Sequence, residues 1–110
     1  MRIEVLEDGT SVTATTQSSA VELHMPKTIR GLIQYQTADW SGLTNIVFKL
    51  QGRMSSDMSW VDVADTSKTH TLHTGASSTA VEDISLYPSM RCYMTVTGTG
   101  SATVDVKLGS

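Results

Sequence analysis

The chain has 110 residues, a mass of 11.9 kDa and a formal net charge of −3, a size that fits one domain burying roughly two-thirds of its unfolded surface. Its eight basic residues are scattered along the sequence, so it carries no clustered footprint for nucleic acid, and no segment reaches the length of a membrane span. Aromatic residues make up 5% of the chain and six methionines fill part of the missing volume, which implies a thin core and stabilisation within an oligomer or assembly.

Arg2 to Glu7 is predicted as a short strand that ends in a turn at Glu7-Asp8-Gly9. The same residues alternate charged with apolar side chains where a signal peptide has an apolar run, so synthesis as a soluble cytoplasmic chain is expected. Thr10 to Thr16 continues with Val12 and Ala14 on one side. Val21, Leu23 and Met25 alternate with Glu22 and His24 until Pro26 ends the strand or marks an edge. Ile29 to Thr37 sets Ile29, Gly31, Ile33 and Tyr35 on one face, and Asp39-Trp40-Ser41-Gly42 reads as a turn carrying a large anchor. Ile46, Phe48 and Leu50 then alternate with Val47, Lys49 and Gln51 up to Gly52. A loop from Arg53 to Ser59 leads to Trp60-Val61-Asp62-Val63. The polar stretch from Ala64 to Ser78 holds a short strand around Thr69 to Thr74, Thr79 to Leu86 forms another, and Tyr87-Pro88 makes a corner.

The last fifth, Ser89 to Leu108, is predicted as a hairpin closed by a Gly98-Thr99-Gly100 turn. Val96 then faces Ala102, Met94 faces Val104, Cys92 faces Val106 and Met90 faces Leu108, so one side is wholly small or apolar. Across the chain this gives about seven to nine short strands and no helical period, the spacing of a sandwich. The expected architecture is all-β, a single antiparallel β-sandwich over residues 1–110, immunoglobulin-like or jelly-roll-like.

Chemistry-bearing residues do not assemble into a catalytic motif. In a strand, residues three apart point to opposite faces, so His70 and His73 make a poor metal pair, and exposed imidazoles are expected there and at His24. Asp57, Asp62 and Asp65 lack the spacing of a calcium loop. Gly98-Thr99-Gly100-Ser101 is followed by a strand rather than the helix a phosphate cradle needs. Neither does a G-x-S-x-G elbow support a Ser-His-Asp site. Cys92, the single cysteine, excludes an internal disulfide, suits a reducing compartment and acts as a small buried hydrophobe. No enzyme activity, cofactor or metal is expected.

Interaction features are stronger. Met54 and Met58 sit in a polar loop, either as an adaptable contact surface or folded back onto Trp60. In the hairpin register Arg91 and Lys107 oppose each other, which calls for an acid, either Asp105 on the diagonal or one on a partner. The candidate interface residues are Met54, Met58, Arg53, Arg91 and Lys107.

Phe48-Lys49-Leu50-Gln51-Gly52-Arg53, followed after a Ser/Asp loop by Trp60-Val61-Asp62-Val63, resembles a hairpin common in tailed-bacteriophage virion proteins. Ile84-Ser85-Leu86-Tyr87-Pro88-Ser89-Met90-Arg91, running into Thr95 to Gly98 and Ser101 to Val104, resembles the closing strands of the same modules. Leu86-Tyr87-Pro88 also resembles the corner of immunoglobulin-like and fibronectin-like sandwiches, although Cys92 stands where a tyrosine corner would put its tyrosine, with Tyr93 next to it. The resemblance implies a non-enzymatic virion structural protein, foremost a head decoration (cement) protein. Its implied partners are the major capsid protein and further copies of itself, a trimer being favoured. A tail, neck or fibre-associated adaptor is the alternative within the virion. A carbohydrate-binding sandwich using Trp40, Trp60 and Tyr87 as stacking platforms is the alternative outside it.

Overall fold

In the computed structural model, which describes residues 2–23 and 30–110, the chain is all-β and antiparallel, with no helix among the described residues. The strands are β1 (Ile3–Val12), β2 (Thr16–Gln17), β3 (Val21–Glu22), β4 (Arg30–Arg53), β5 (Val61–Asp62), β6 (Lys68–Thr71), β7 (Ser77–Ser85) and β8 (Ser89–Gly109). The expectations placed on His24, Met25, Pro26 and Ile29 lie outside the described residues.

Two strands are much longer than the predicted spacing: β4 has 24 residues and β8 has 21. They run antiparallel from the pair Leu32↔Gly109 to the pair Arg53↔Ser89. At about 3.3 Å per residue a straight β4 would span roughly 80 Å, far beyond the 41 Å long axis of the molecule. The pair is therefore doubled over. Three successive register shifts between Ala38 and Asn45 mark the bend, opposite residues 98–101 of β8. Gly98 (φ 99°) and Gly100 (φ 146°) supply the backbone shape there. A Cβ on Gly100 would sit 1.8 Å from the Ser41 carbonyl oxygen.

Doubling over turns one hydrogen-bonded sheet into two facing layers. The first layer is β1, the C-terminal half of β8, the N-terminal half of β4, and β7. The second is β2 and β3, the N-terminal half of β8, the C-terminal half of β4, then β5 and β6. Tyr35 and Phe48, from opposite halves of β4, stack across the interior with ring centroids 4.9 Å apart. Around them Ile33, Val104, Val106 and Leu108 of one layer and Ile46, Leu50, Met90, Cys92 and Met94 of the other are fully buried. This apolar burial is the main stabilising term, at roughly 1.5–3 kcal/mol for each large side chain.

Three predicted reversals are corrected. The segment from Ser89 to Leu108 is one bent strand: Met90, Cys92 and Met94 pair with Gly52, Leu50 and Phe48, while Val104, Val106 and Leu108 pair with Thr37, Tyr35 and Ile33. The predicted apolar face is the buried one, but its halves meet across the sandwich instead of along a ladder. Each half finds its partner in β4, and a glycine pair serves a folded sheet as well as a tight turn. Asp39 to Gly42 is the matching bend in β4, not a turn between strands. At Glu7-Asp8-Gly9 the chain does not reverse either. β1 runs on through bulges, with the Gly9 N–H donating to Asp105 Oδ1 at 2.8 Å. The corner at Tyr87-Pro88 stands as expected: Pro88 accepts from the Leu23 N–H at 2.7 Å. The Tyr87 ring lies where a side chain on Gly52 would be, 2.5 Å from a built Cβ.

Candidate partner interface

Strand alternation sends Lys49, Gln51 and Arg53 of β4 and Arg91 and Tyr93 of β8 to the outer face of the second layer. The ladder sets Lys49 opposite Tyr93, Gln51 opposite Arg91 and Arg53 opposite Ser89. β5 adds Asp62 beside Gln51 and Val61 beside Gly52. Side chains then link across three strands. Arg91 Nε donates to Gln51 Oε1 at 2.8 Å, Gln51 Nε2 donates to Asp62 Oδ1 at 3.0 Å, and Lys49 Nζ donates to Asp62 Oδ2 at 3.1 Å. These donors, Gln51 first and Lys49 second, hold the Asp62 carboxyl below its ordinary pKa.

Trp60, at the entry to β5, is the centre of this face. The guanidinium carbons of Arg53 and Arg91 lie over its ring at 4.3 and 4.5 Å from the centroid. Burial first, and the charge of Arg53 second, push the Arg91 pKa down, as expected where two cations share one ring. The ion pairs among the described residues are Arg2–Glu4, Arg30–Asp83 and Lys49–Asp62, so neither stacked arginine has a carboxylate partner. Arg53 Nε is buried with no acceptor among the described residues, and its Nη1 reaches only the Ser56 carbonyl at 3.4 Å.

The loop joining Arg53 to Trp60 is ordered by its own bonds: Met58 N–H donates to the Ser55 carbonyl at 3.1 Å, and the Ser55 hydroxyl donates to Asp57. It leaves Met54 60% and Met58 53% exposed, and Val61 next to it 45%. Both methionines are more exposed than buried. The groups over the Trp60 ring are the guanidiniums of Arg53 and Arg91.

No protein-family model and no curated protein matches the chain.

Of the candidate interface residues, Arg53, Met54, Met58 and Arg91 come together at this end of the sandwich. Lys107 does not. It pairs with Gln34 and Val5 in the first layer, where Gln34, Gln36, Asp105 and Lys107 line a shallow polar groove of about 260 Å³. The predicted opposition of Arg91 and Lys107 is therefore corrected: Arg91 faces Gln51, and Asp105 faces Gln36. Trp40 is half-buried, donates from Nε1 to the Leu43 carbonyl at 2.7 Å and packs on His73 at 5.0 Å. With Tyr87 against Gly52, all three rings considered as sugar platforms have protein groups against them.

The expectation of exposed imidazoles is also corrected for His70 and His73. His70 is buried, with Nδ1 2.8 Å from Thr37 Oγ1, Nε2 2.9 Å from Thr79 Oγ1 and its ring edge-on to Phe48 at 5.1 Å. His73 is half-buried and reaches the same Thr37 hydroxyl at 3.4 Å. The opposite-faces argument does not apply to the pair because β6 ends at Thr71. Thr37, His70 and Thr79 form a polar bridge between the layers. A flanking run of threonines and serines carries no apolar period that would mark it in sequence. The Trp60 centre was closer to legible: Gly52 and Val61 pair directly, so Arg53 and Trp60 flank the loop on neighbouring strands.

Proposed function

We propose that the chain is a non-enzymatic structural protein of a tailed-bacteriophage virion, a head decoration (cement) protein that binds the outer capsid shell and stabilises it. The observation that carries this reading is the outer face around Trp60. Met54 and Met58 are exposed there beside two stacked arginines that have no carboxylate partner among the described residues. Aromatic, methionine and arginine side chains are the types enriched where protein surfaces meet, and clustered exposed apolar groups favour being covered. The two-layer antiparallel sandwich fits the phage resemblance of the Phe48–Val63 and Ile84–Val104 segments. Its partners are the major capsid protein and further copies of the chain, in a trimer.

The test is co-sedimentation of purified protein with undecorated capsid shells of its own virion. Saturable binding that raises the temperature at which the shells break supports the proposal. Shells that pellet without added protein at saturating concentration overturn it.

A further inference from the structure

We infer that the Arg53–Trp60–Arg91 stack is a clamp for carboxylates, and that its occupant is an acidic segment of a partner protein. The inference rests on the reading of this face as the docking surface and specifies what docks there. Three observations carry it. First, two guanidiniums share one indole with no carboxylate partner among the described residues. The two cations raise each other's energy, a cost that an incoming anion removes. Second, the ring and the Gln51 oxygen hold Arg91 in one orientation. A pre-set guanidinium fork matches a carboxylate with little further loss of side-chain freedom. Third, the surroundings select the class of anion. Lys49 is already neutralised by Asp62, and Glu22 sits across the ladder from Ser89, accepting its hydroxyl at 2.9 Å. A nucleic acid needs a continuous basic track, and these acids interrupt it. Exposed Met54 and Met58 instead offer apolar contact to the side chains of a peptide.

The test uses the isolated full chain, labelled with ¹⁵N, and an end-blocked hexaglutamate peptide at low ionic strength. The probes are the indole N–H of Trp60 and the Nε–H groups of Arg53 and Arg91. All three are expected to shift together and saturably, while the indole N–H of Trp40 stays in place. The double variant Arg53→Gln/Arg91→Gln is expected to bind about tenfold more weakly, or about 1.4 kcal/mol. Arg53→Lys/Arg91→Lys, which keeps the charge and loses the forks, is expected to bind more weakly than the parent. Lys107→Gln, a charge loss in the other layer, is expected to leave binding unchanged. Melting curves on each variant establish that it is folded, and the lysine pair decides the matter if the glutamine pair is not.

Four results would overturn the clamp: no shift, equal weakening by Lys107→Gln, lysine variants that bind as the parent does, or equal response to inorganic phosphate or a hexathymidylate. Because no capsid is used, the two proposals fail separately. Peptide binding without shell binding removes only the decoration reading, and shell binding without a response at Trp60 and the arginines removes only the clamp.

Discussion

Replacing His70 by glutamine is expected to flatten the dependence of stability on pH. The imidazole is 3% exposed, bonded on both nitrogens to threonine hydroxyls, one in each direction, and packed against Phe48. Burial first and the neighbouring His73 second push its pKa below the ordinary 6.5. The unfolded chain therefore binds a proton at a pH where the folded protein does not. Stability is complete above the unfolded value and is lost as pH falls below it, until the depressed folded value is reached. For one such group the loss between about pH 7.5 and about pH 5.5 has a ceiling of about 1.4 kcal/mol, reached when the native imidazole stays neutral throughout. Urea unfolding of both proteins at the two pH values measures it, since titrations common to both cancel in the difference. His70→Gln is less stable at both values but loses less on acidification. Equal losses in the two proteins, or a His70 proton resonance that titrates at about 6.5, would refute the reasoning.

Other outcomes follow from the interior. Tyr35→Phe removes the hydroxyl that donates to the Thr66 carbonyl at 2.9 Å in the buried core. A loss of about 1–3 kcal/mol is expected, read as a fall in melting temperature of about 4 °C per kcal/mol at this chain length. Gly100→Ala puts a Cβ against the Ser41 carbonyl at a positive φ. It is expected to cost about 2 kcal/mol or more, and an unchanged melting curve would remove the bend from the account. The Cys92 thiol is fully buried, and burial, followed by Glu7, pushes its pKa up. It is expected to ignore a disulfide reagent in native buffer and to react once per chain in denaturant, and rapid native labelling would contradict that placement.

Sequence pattern specified which side of each strand is buried far better than which strand lies beside it. Met90, Cys92, Met94, Val104, Val106 and Leu108 were legible as one apolar face because period two survives any choice of partner. Their neighbours were not, because Gly98-Thr99-Gly100 signals a change of direction without saying whether the halves then pair with each other or with a second bent strand. The same ambiguity misplaced Lys107 opposite Arg91. Arg53 and Arg91 entered as separate candidates, and their meeting on Trp60 depends on strands from three parts of the chain. His70 was missed because a bridge of threonine hydroxyls carries no signal until the layers are stacked.

The central claim is that the protein docks through the face centred on Trp60. Electron cryomicroscopy of decorated shells tests it most directly. Added density of one sandwich per site is expected, with Trp60, Arg53 and Arg91 turned toward the capsid and the groove of Gln34, Gln36, Asp105 and Lys107 turned away. Bare shells, or molecules seated with the Trp60 face toward solvent, would contradict it.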